Sequence, residues 1–334
     1  MKQSLIDKIT TVLHLTPFVS NVARKKFVAR FILGLVNSRK GQFHAIAQHL
    51  NDGVQVSSNQ TRIENFFRHA ALDYAAVTRL LLRLLPATGK CRLCIDRTEW
   101  NFGKCEINFL VITVGCGPVQ LPFYWELLDN RSGNSGAADR IALLQACVAV
   151  LGKDRIGVVI GDREFVGHTW FKYLKDHGIN FIMRLPKHHL ITAASGQVRT
   201  VADLAATRPG PLVLPQCQVD GVWGNVWLKE LEKGEYLFLF GTVTAEFMGQ
   251  LYRNRWTIEA CFQHVKTRGF DLASTHLNCF EKLKKLMALT SIAYGLCLSL
   301  GCYLHRKVQK IKTKPHGYKA VSFSLLYPTI FTNI

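Results

Sequence analysis

Three acids in this sequence stand where hydrolytic chemistry could be built. Asp96 closes the apolar run 92–96 (RLCID), Asp162 follows the run 155–160 (RIGVVI) and Gly161, and Glu259 lies in 252–270 (YRNRWTIEACFQHVKTRGF). An acid at the C-terminal end of a strand sits where open α/β sheets gather their ligands. Taken singly, each aspartate reads first as a plain turn residue. If 252–270 is one helix, Tyr252, Arg255, Glu259 and Lys266 share an arc of about 60° at about 100° per residue. The apolar Ile258, Cys261, Phe262 and Val265 line the neighbouring stripe. Arg255 and Glu259 are also an ordinary i,i+4 ion pair, so periodicity alone leaves a solvated amphipathic helix equally open. Three carboxylates, two at strand ends and one on a later helix, fit two-metal phosphodiester chemistry. Magnesium takes few carboxylates and fills its shell with phosphate oxygens. Two ions roughly 3.5–4 Å apart activate an attacking oxygen and stabilise a leaving one. Without such ions the acids repel one another. Glu99 and Glu164, beside the aspartates, read as surface or salt-bridge residues.

Those acids need strands and helices to hold them. The first 85 residues read as helices: 22–37, 41–50, 59–68 with Asn59 as an N-cap, and 74–85, stopped by Pro86. The composition then changes. Runs 92–96, 107–115 and 119–125 read as three antiparallel strands with tight connections, the third broken by Pro122. A helix is expected over 137–151, a buried strand over 155–160, a helix over 165–177 with Gly178 at its C-cap, and a strand over 179–185. Strands, helix, strand, helix, strand predict an α/β layer with a mixed sheet and helices on both faces. Residues 187–243, rich in Gly, Pro, Val and Thr, read as a small β-rich insertion, and the chain turns helical again from Thr244 to about Lys312. This divides the chain into a helical region 1–85, a core 86–186, the insertion 187–243, a second core piece 244–280 carrying the glutamate, and a basic helical region 281–334.

Charge narrows the partner. Of 334 residues, 42 are Lys or Arg against 23 Asp or Glu, a net charge of +19. Residues 1–85 hold 12 basic and 4 acidic side chains, and residues 281–319 hold 9 basic ones and only Glu281. Basic ends around a nearly neutral middle point to a polyanion, nucleic acid before an anionic membrane. At 48% hydrophobic residues the chain can build a core and global disorder is excluded. Residues 286–304 carry no charge over a length that can just span a bilayer. Thr290, Ser291, Gly295, Ser299 and Gly301 inside them favour a buried core helix, so no membrane partner is expected. The opening residues show no secretory pattern and the ten cysteines no dense pairing, which fits a reducing, cytoplasmic compartment.

The residues also carry a resemblance. Tyr252-x2-Arg255-x3-Glu259-x6-Lys266 resembles the Tyr-Arg-Glu-Lys signature of bacterial insertion-sequence DD-E transposases, specifically insertion sequence family four. Ile95-Asp96-Arg97-Thr98 is similar to the family's first-aspartate block, and residues 159–165 (VIGDREF) to its second. The likeness covers about residues 25–320. It implies a ribonuclease-H-like mixed sheet interrupted by a β-rich insertion, with Asp96, Asp162 and Glu259 binding two magnesium or manganese ions. It implies cut-and-paste transposition through a hairpin intermediate, acting on double-stranded terminal inverted repeats and target DNA, with a homodimer on DNA in a bacterial, nucleoid-associated setting. Tyr252, Arg255 and Lys266 are then expected on DNA phosphates. Arg24, Lys25, Lys26, Arg30, Asn59, Gln60, Thr61 and Arg62 are expected to help recognise the repeats. A hairpin step needs a flipped base held on an aromatic ring; Trp223 and Trp227 are candidates, and a buried structural role is open for each. Residues 131–135 (RSGNS) resemble a family loop that meets phosphate or caps the next helix.

Several features are set aside. Cys91-x2-Cys94 has no second pair at zinc spacing and reads as structural thiols. His188 and His189 lie in a basic loop with no clear task, and His264 falls off the Glu259 stripe. No phosphate loop or dinucleotide fingerprint is present, so no nucleotide cofactor is expected. His316-Gly317-Tyr318 resembles a family segment, yet the uncharged residues 322–334 (SFSLLYPTIFTNI) depart from the pattern. A shortened, catalytically inactive copy that only binds DNA is therefore the rival expectation.

Overall fold

A computed structural model describes residues 2–50, 53–85, 89–102, 105–117, 119–128, 134–206, 211–231, 235–308, 310–312 and 322–323. The expected segments His316–Tyr318 and 324–334, Pro86, and residues 131–133 lie outside them.

The chain opens with five helices: α1 (Lys2–Leu13), α2 (Val22–Ser38), α3 (Phe43–Ala47), α4 (Val56–His69) and α5 (Tyr74–Leu84). Asn21 caps α2 by accepting from Arg24 N at 2.8 Å, and Asp73 caps α5 by accepting from Ala76 N at 2.9 Å. The expected cap of α4 is wrong. Helix α4 begins a turn earlier, and Asn59 is buried inside it, where its Oδ1 accepts from Arg62 Nη1 at 3.0 Å.

One ten-stranded sheet follows. Its strands are β1 (Cys91–Phe102), β2 (Cys105–Cys116), β3 (Val119–Leu127), β4 (Ile156–Gly161), β5 (Phe181–Arg184), β6 (Leu190–Thr192), β7 (Val198–Thr200), β8 (Leu212–Val219), β9 (Val222–Glu230) and β10 (Tyr236–Gly241), in the order β3-β2-β1-β4-β5-β10-β9-β8-β6-β7. β1, β2 and β3 are antiparallel, as expected, while β4 joins β1 and β5 in parallel. Pro122 does not break β3. The strand lies at the sheet edge, where a missing N–H is tolerated, and a register shift opposite Ile112 and Thr113 absorbs the misfit. The inserted strands do not form a separate layer, because β10 pairs antiparallel with β5 and continues the sheet outward.

Helices cover both faces. α6 (Ala137–Leu151) matches its expected bounds, and α7 (His168–Asp176) starts three residues later than expected. α6 buries Leu143, Leu144 and Cys147 in the same large core as Leu93, Ile95 and Val159. The opposite face of β1 and β4 presents Cys94, Val158 and Ile160, packed with Met248, Tyr252 and Ile258 of the later helices. This alternation is the period-2 pattern of a strand buried on both sides. It also puts Cys91 and Cys94 on opposite faces in different cores, as structural thiols. α8 (Val201–Ala206) belongs to the insertion, and after β10 the chain continues through α9 (Ala245–Arg253), α10 (Trp256–Gln263), a π-helical turn (His264–Arg268) and α11 (Phe280–Lys307). α11 is long and apolar enough to cross a membrane, yet 78% of its most apolar window is buried against the protein. It packs on α2, α5 and β3 as a core helix.

Candidate active site

Asp96 and Asp162 are brought together by strand register. β1 and β4 run parallel, and their ladder ends with Cys94 opposite Ile160. Two residues further on come Asp96, still within β1, and Asp162, just past the end of β4. By alternation both continue the Cys94, Val158 and Ile160 stripe, on the face where α9 and α10 lie. The main chain fixes each rotamer: Arg97 N donates to Asp96 Oδ1 at 2.9 Å, and Arg163 N donates to Asp162 Oδ1 at 2.8 Å.

Glu259 arrives from α10. The expected single helix over 252–270 is broken. Asn254 ends α9 by donating its amide to Gln250 O and Leu251 O, both at 3.3 Å, and Thr257 Oγ1 donates back to Asn254 O at 2.6 Å to start α10. Arg255 and Glu259 still share one face, since both sit at the start of α10. Tyr252 lies in the last turn of α9 and Lys266 in the π-helical turn, so neither follows the 100° count.

The guanidinium of Arg255 meets all three acids. Its Nη1 lies 3.4 Å from Asp96 Oδ2, its Nη2 lies 3.9 Å from Asp162 Oδ2, and Nη2 also donates to Glu259 Oε1. Arg184, the last residue of β5, adds a second cation 3.8 Å from Asp162 Oδ1. Sequence reasoning missed Arg184; its position at a strand end beside β4 was the available signal. Burial pushes the Asp96 carboxyl up to about 6; Arg255 and the Arg97 N–H oppose the rise, and Asp162 and Glu164 add to it. Burial likewise lifts Tyr252 well above the usual phenol range.

The other expected contacts fare unevenly. Tyr252 is buried beneath Arg255, whose Cζ lies 5.9 Å from the ring centroid. Its hydroxyl is buried and has no hydrogen-bond partner among the described residues. Lys266 donates its ammonium to Glu99 O, three residues beyond Asp96 on β1, roughly 10 Å along the strand. Lys25 is buried at 9% exposure, on the α2 stripe with Val28, Ala29 and Ile32. Lys26 and Thr61 are exposed, while Arg24 and Arg30 are half-buried. Arg24 donates to Ser20 Oγ at 2.8 Å, and Thr61 to Ser57 O at 3.1 Å. Gln60 bonds Glu64 and His44, and Arg62 lies over the Phe27 ring. Trp223 is 46% exposed on β9, and Trp227 is half-buried against α9. The structural reading therefore suits Trp227 and not Trp223. His264 is buried on Phe270 and Tyr294, and burial depresses it to about 4. Ser135 is not a helix cap: it is buried and bonded to Glu164 and Arg140, while Gly136 N at the start of α6 donates to Asp139.

Gln120 on β3 is a further residue that sequence reasoning passed over. Its Oε1 accepts from Arg92 Nη2 at 3.0 Å and Thr257 Oγ1 at 3.3 Å, and its amide donates to Thr113 Oγ1 at 2.6 Å. The cluster seats the first turn of α10 on the sheet, and with it Glu259.

A family model described as a transposase DDE domain matches residues 88–296, a span that contains all three acids. This chain belongs to the DDE-domain transposases. Its fold is shared with a solved piggyBac transposase synaptic complex with hairpin DNA, at 12% identity and a TM-score of 0.50, over 94% of this chain and 71% of that one. The C-terminal lobe of a budding yeast Argonaute aligns over 76% of this chain and 57% of that one, at 10% identity and a TM-score of 0.24, too low to bear on the fold of this transposase. A search of curated proteins gives no match. DDE transposases in general act on DNA with divalent metals. Among the described residues no three His, Cys, Asp or Glu groups close on one point at metal-binding distance. The three acids of this transposase instead close on the Arg255 guanidinium. An all-carboxylate donor set gathered on one positive charge is the chemistry hard divalent cations demand, so the residues present fit the metal that the family implies.

Proposed function

We propose that this DDE transposase excises and inserts a bacterial insertion sequence by cut-and-paste chemistry, with Asp96, Asp162 and Glu259 as the acids that would hold two magnesium or manganese ions. The observation that carries the reading is the Arg255 guanidinium in contact with all three acids, from three separate segments of the chain. Bound ions would activate the attacking oxygen and stabilise the leaving one. Water cuts at each terminal inverted repeat, the freed 3′-OH attacks the opposite strand to form a hairpin, a second water opens it, and the 3′-OH then joins target DNA. Each step is an in-line displacement at phosphorus, so one set of acids can serve them all.

The chain's own residues supply position and charge. Arg255 offsets part of the acids' charge before ions bind and, at 15% side-chain exposure, would meet a phosphate laid over them. Arg184 fixes Asp162 from the β5 side. Lys26, Arg24, Arg30, Gln60, Thr61 and Arg62 would grip the inverted repeats, and the exposed ring of Trp223 would be free to stack an extruded base. We further propose the region boundaries 1–85, 86–186, 187–243, 244–280 and 281–334, a homodimer pairing two ends, and a cytoplasmic, nucleoid-associated setting. The test is Glu259→Gln, which keeps shape and removes one ligand charge. Magnesium-dependent nicking of end-bearing DNA should vanish while end binding, steeply salt-dependent in both proteins, persists. Undiminished nicking would remove Glu259 from the site.

A further inference from the structure

Glu164 stands two residues after Asp162, where it reads as a surface or salt-bridge residue, and the structure makes it the partner of Arg97. Its Oε2 accepts from Arg97 Nε at 2.5 Å, and its Oε1 accepts from Ser135 N at 3.0 Å and Ser135 Oγ at 2.9 Å. Three donors commit both oxygens, on a side chain only 14% exposed. Ser135 is in turn locked by Arg140, whose Nε donates to Ser135 Oγ at 2.9 Å and Nη2 to Ser135 O at 2.5 Å. Arg140 lies in α6 and rests 5.1 Å from the Phe165 ring centroid.

The consequence concerns the aspartates. Backbone pairing between β1 and β4 ends at Cys94 and Ile160, two residues short of both acids. Past a ladder's end, twisted neighbouring strands are free to splay. The Arg97–Glu164 pair spans that gap. Arg97 is the residue whose N–H orients Asp96, and Glu164 follows Arg163, whose N–H orients Asp162. We infer that Glu164 is a positioning residue that, through Arg97 and Ser135, sets the separation of Asp96 and Asp162 and so the affinity of that pair for a divalent cation. The inference rests on the two-ion reading above.

Mn2+ titration of the full chain by electron paramagnetic resonance tests it, with Asp96→Asn as the blank and thermal unfolding in chelator as the control. Glu164→Gln should weaken Mn2+ binding by about 10-fold or more, within the roughly 10–100-fold cost of losing a partner behind a metal ligand. Arg97→Gln should do the same, and the double variant should bind no worse than the weaker single, because either change removes one shared link. Should Glu164→Gln fail to fold, Arg97→Gln carries the comparison, and Arg97→Lys, which keeps the charge, should recover part of the affinity. A merely structural role would lower the unfolding midpoint and leave the affinity of the folded protein unchanged. Binding within about two-fold of the unaltered chain, or losses that add in the double variant, overturns the inference alone. No Mn2+ binding by the unaltered chain above the Asp96→Asn blank overturns the two-ion reading and this inference together.

Discussion

Removing the Arg255 side chain should destabilise the metal-free protein and make it depend on divalent cation. The guanidinium touches Asp96 at 3.4 Å and Asp162 at 3.9 Å and also bonds Glu259. At an effective dielectric constant of about 20, each measured contact is worth roughly 4–5 kcal/mol before desolvation is counted. Most of that is offset, since Arg255 gives up water to make them. Deleting one partner of a buried pair costs about 3–5 kcal/mol. Asp162 and Glu259 keep 32% and 43% side-chain exposure, so water screens what remains. A net loss of about 2–3 kcal/mol is expected for Arg255→Ala, on the order of 4–12 °C in the unfolding midpoint at about 2–4 °C per kcal/mol. The loss should appear in chelator and shrink when Mg2+ or Mn2+ is added, because the cation replaces the deleted charge. Calorimetry of both proteins, with chelator and with metal, reads this directly. If Arg255→Ala melts with the unaltered chain in chelator, or gains no more from metal, then the guanidinium is not what neutralises the three acids.

Two further outcomes follow from the same geometry. The Asp96 carboxyl is lifted to about 6, above its ordinary 3.8, chiefly by burial. A raised acid favours folding most in its protonated form, so in chelator this contribution should be complete below about pH 4 and lost as pH rises through 6, on the order of 2–3 kcal/mol at about 1.4 kcal/mol per pH unit. Circular-dichroism melts from pH 4 to 7 should show that decline, and Asp96→Asn should flatten it; an equal decline in the variant would place the titration elsewhere. Gly115→Ala should loosen the Glu259 helix from below, since its Cβ would fall 1.9 Å from Gln120 Oε1 and 2.8 Å from Val119 O. Gln120 can rotate away but the carbonyl cannot, so about 1–3 kcal/mol should be lost by denaturant titration, with nicking falling at temperatures where the chain remains folded. Unchanged stability and nicking would show that the Gln120 cluster does not seat α10.

What could be read from the sequence follows from which interactions are periodic. Asp96 and Asp162 were legible because each ends an apolar run, and apolar runs become buried strands whose ends lie together once the strands are parallel neighbours. Arg255 and Glu259 were legible because a spacing of four survives anywhere inside one helix. Tyr252 and Lys266 were misplaced because the 100° count assumes an unbroken helix. Asn254 and Thr257 satisfy main-chain groups at a break, and such side-chain to backbone bonds leave no periodic trace. The burial of Lys25 was visible in its stripe: positions 25, 28, 29 and 32 share one face of α2, and that face is buried. Gln120 was not legible in any register, and a salt bridge was legible for Glu164 only without its partner. Their partners lie 67, 29, 28 and 137 positions away, and no local pattern links a residue to groups that only the finished sheet brings near. The acids that would meet the metal are thus written locally, whereas the residues that fix their spacing are written only in the fold. Substitutions at Arg97, Gln120 and Glu164 should therefore alter metal affinity and helix seating while every local motif in the sequence stays intact.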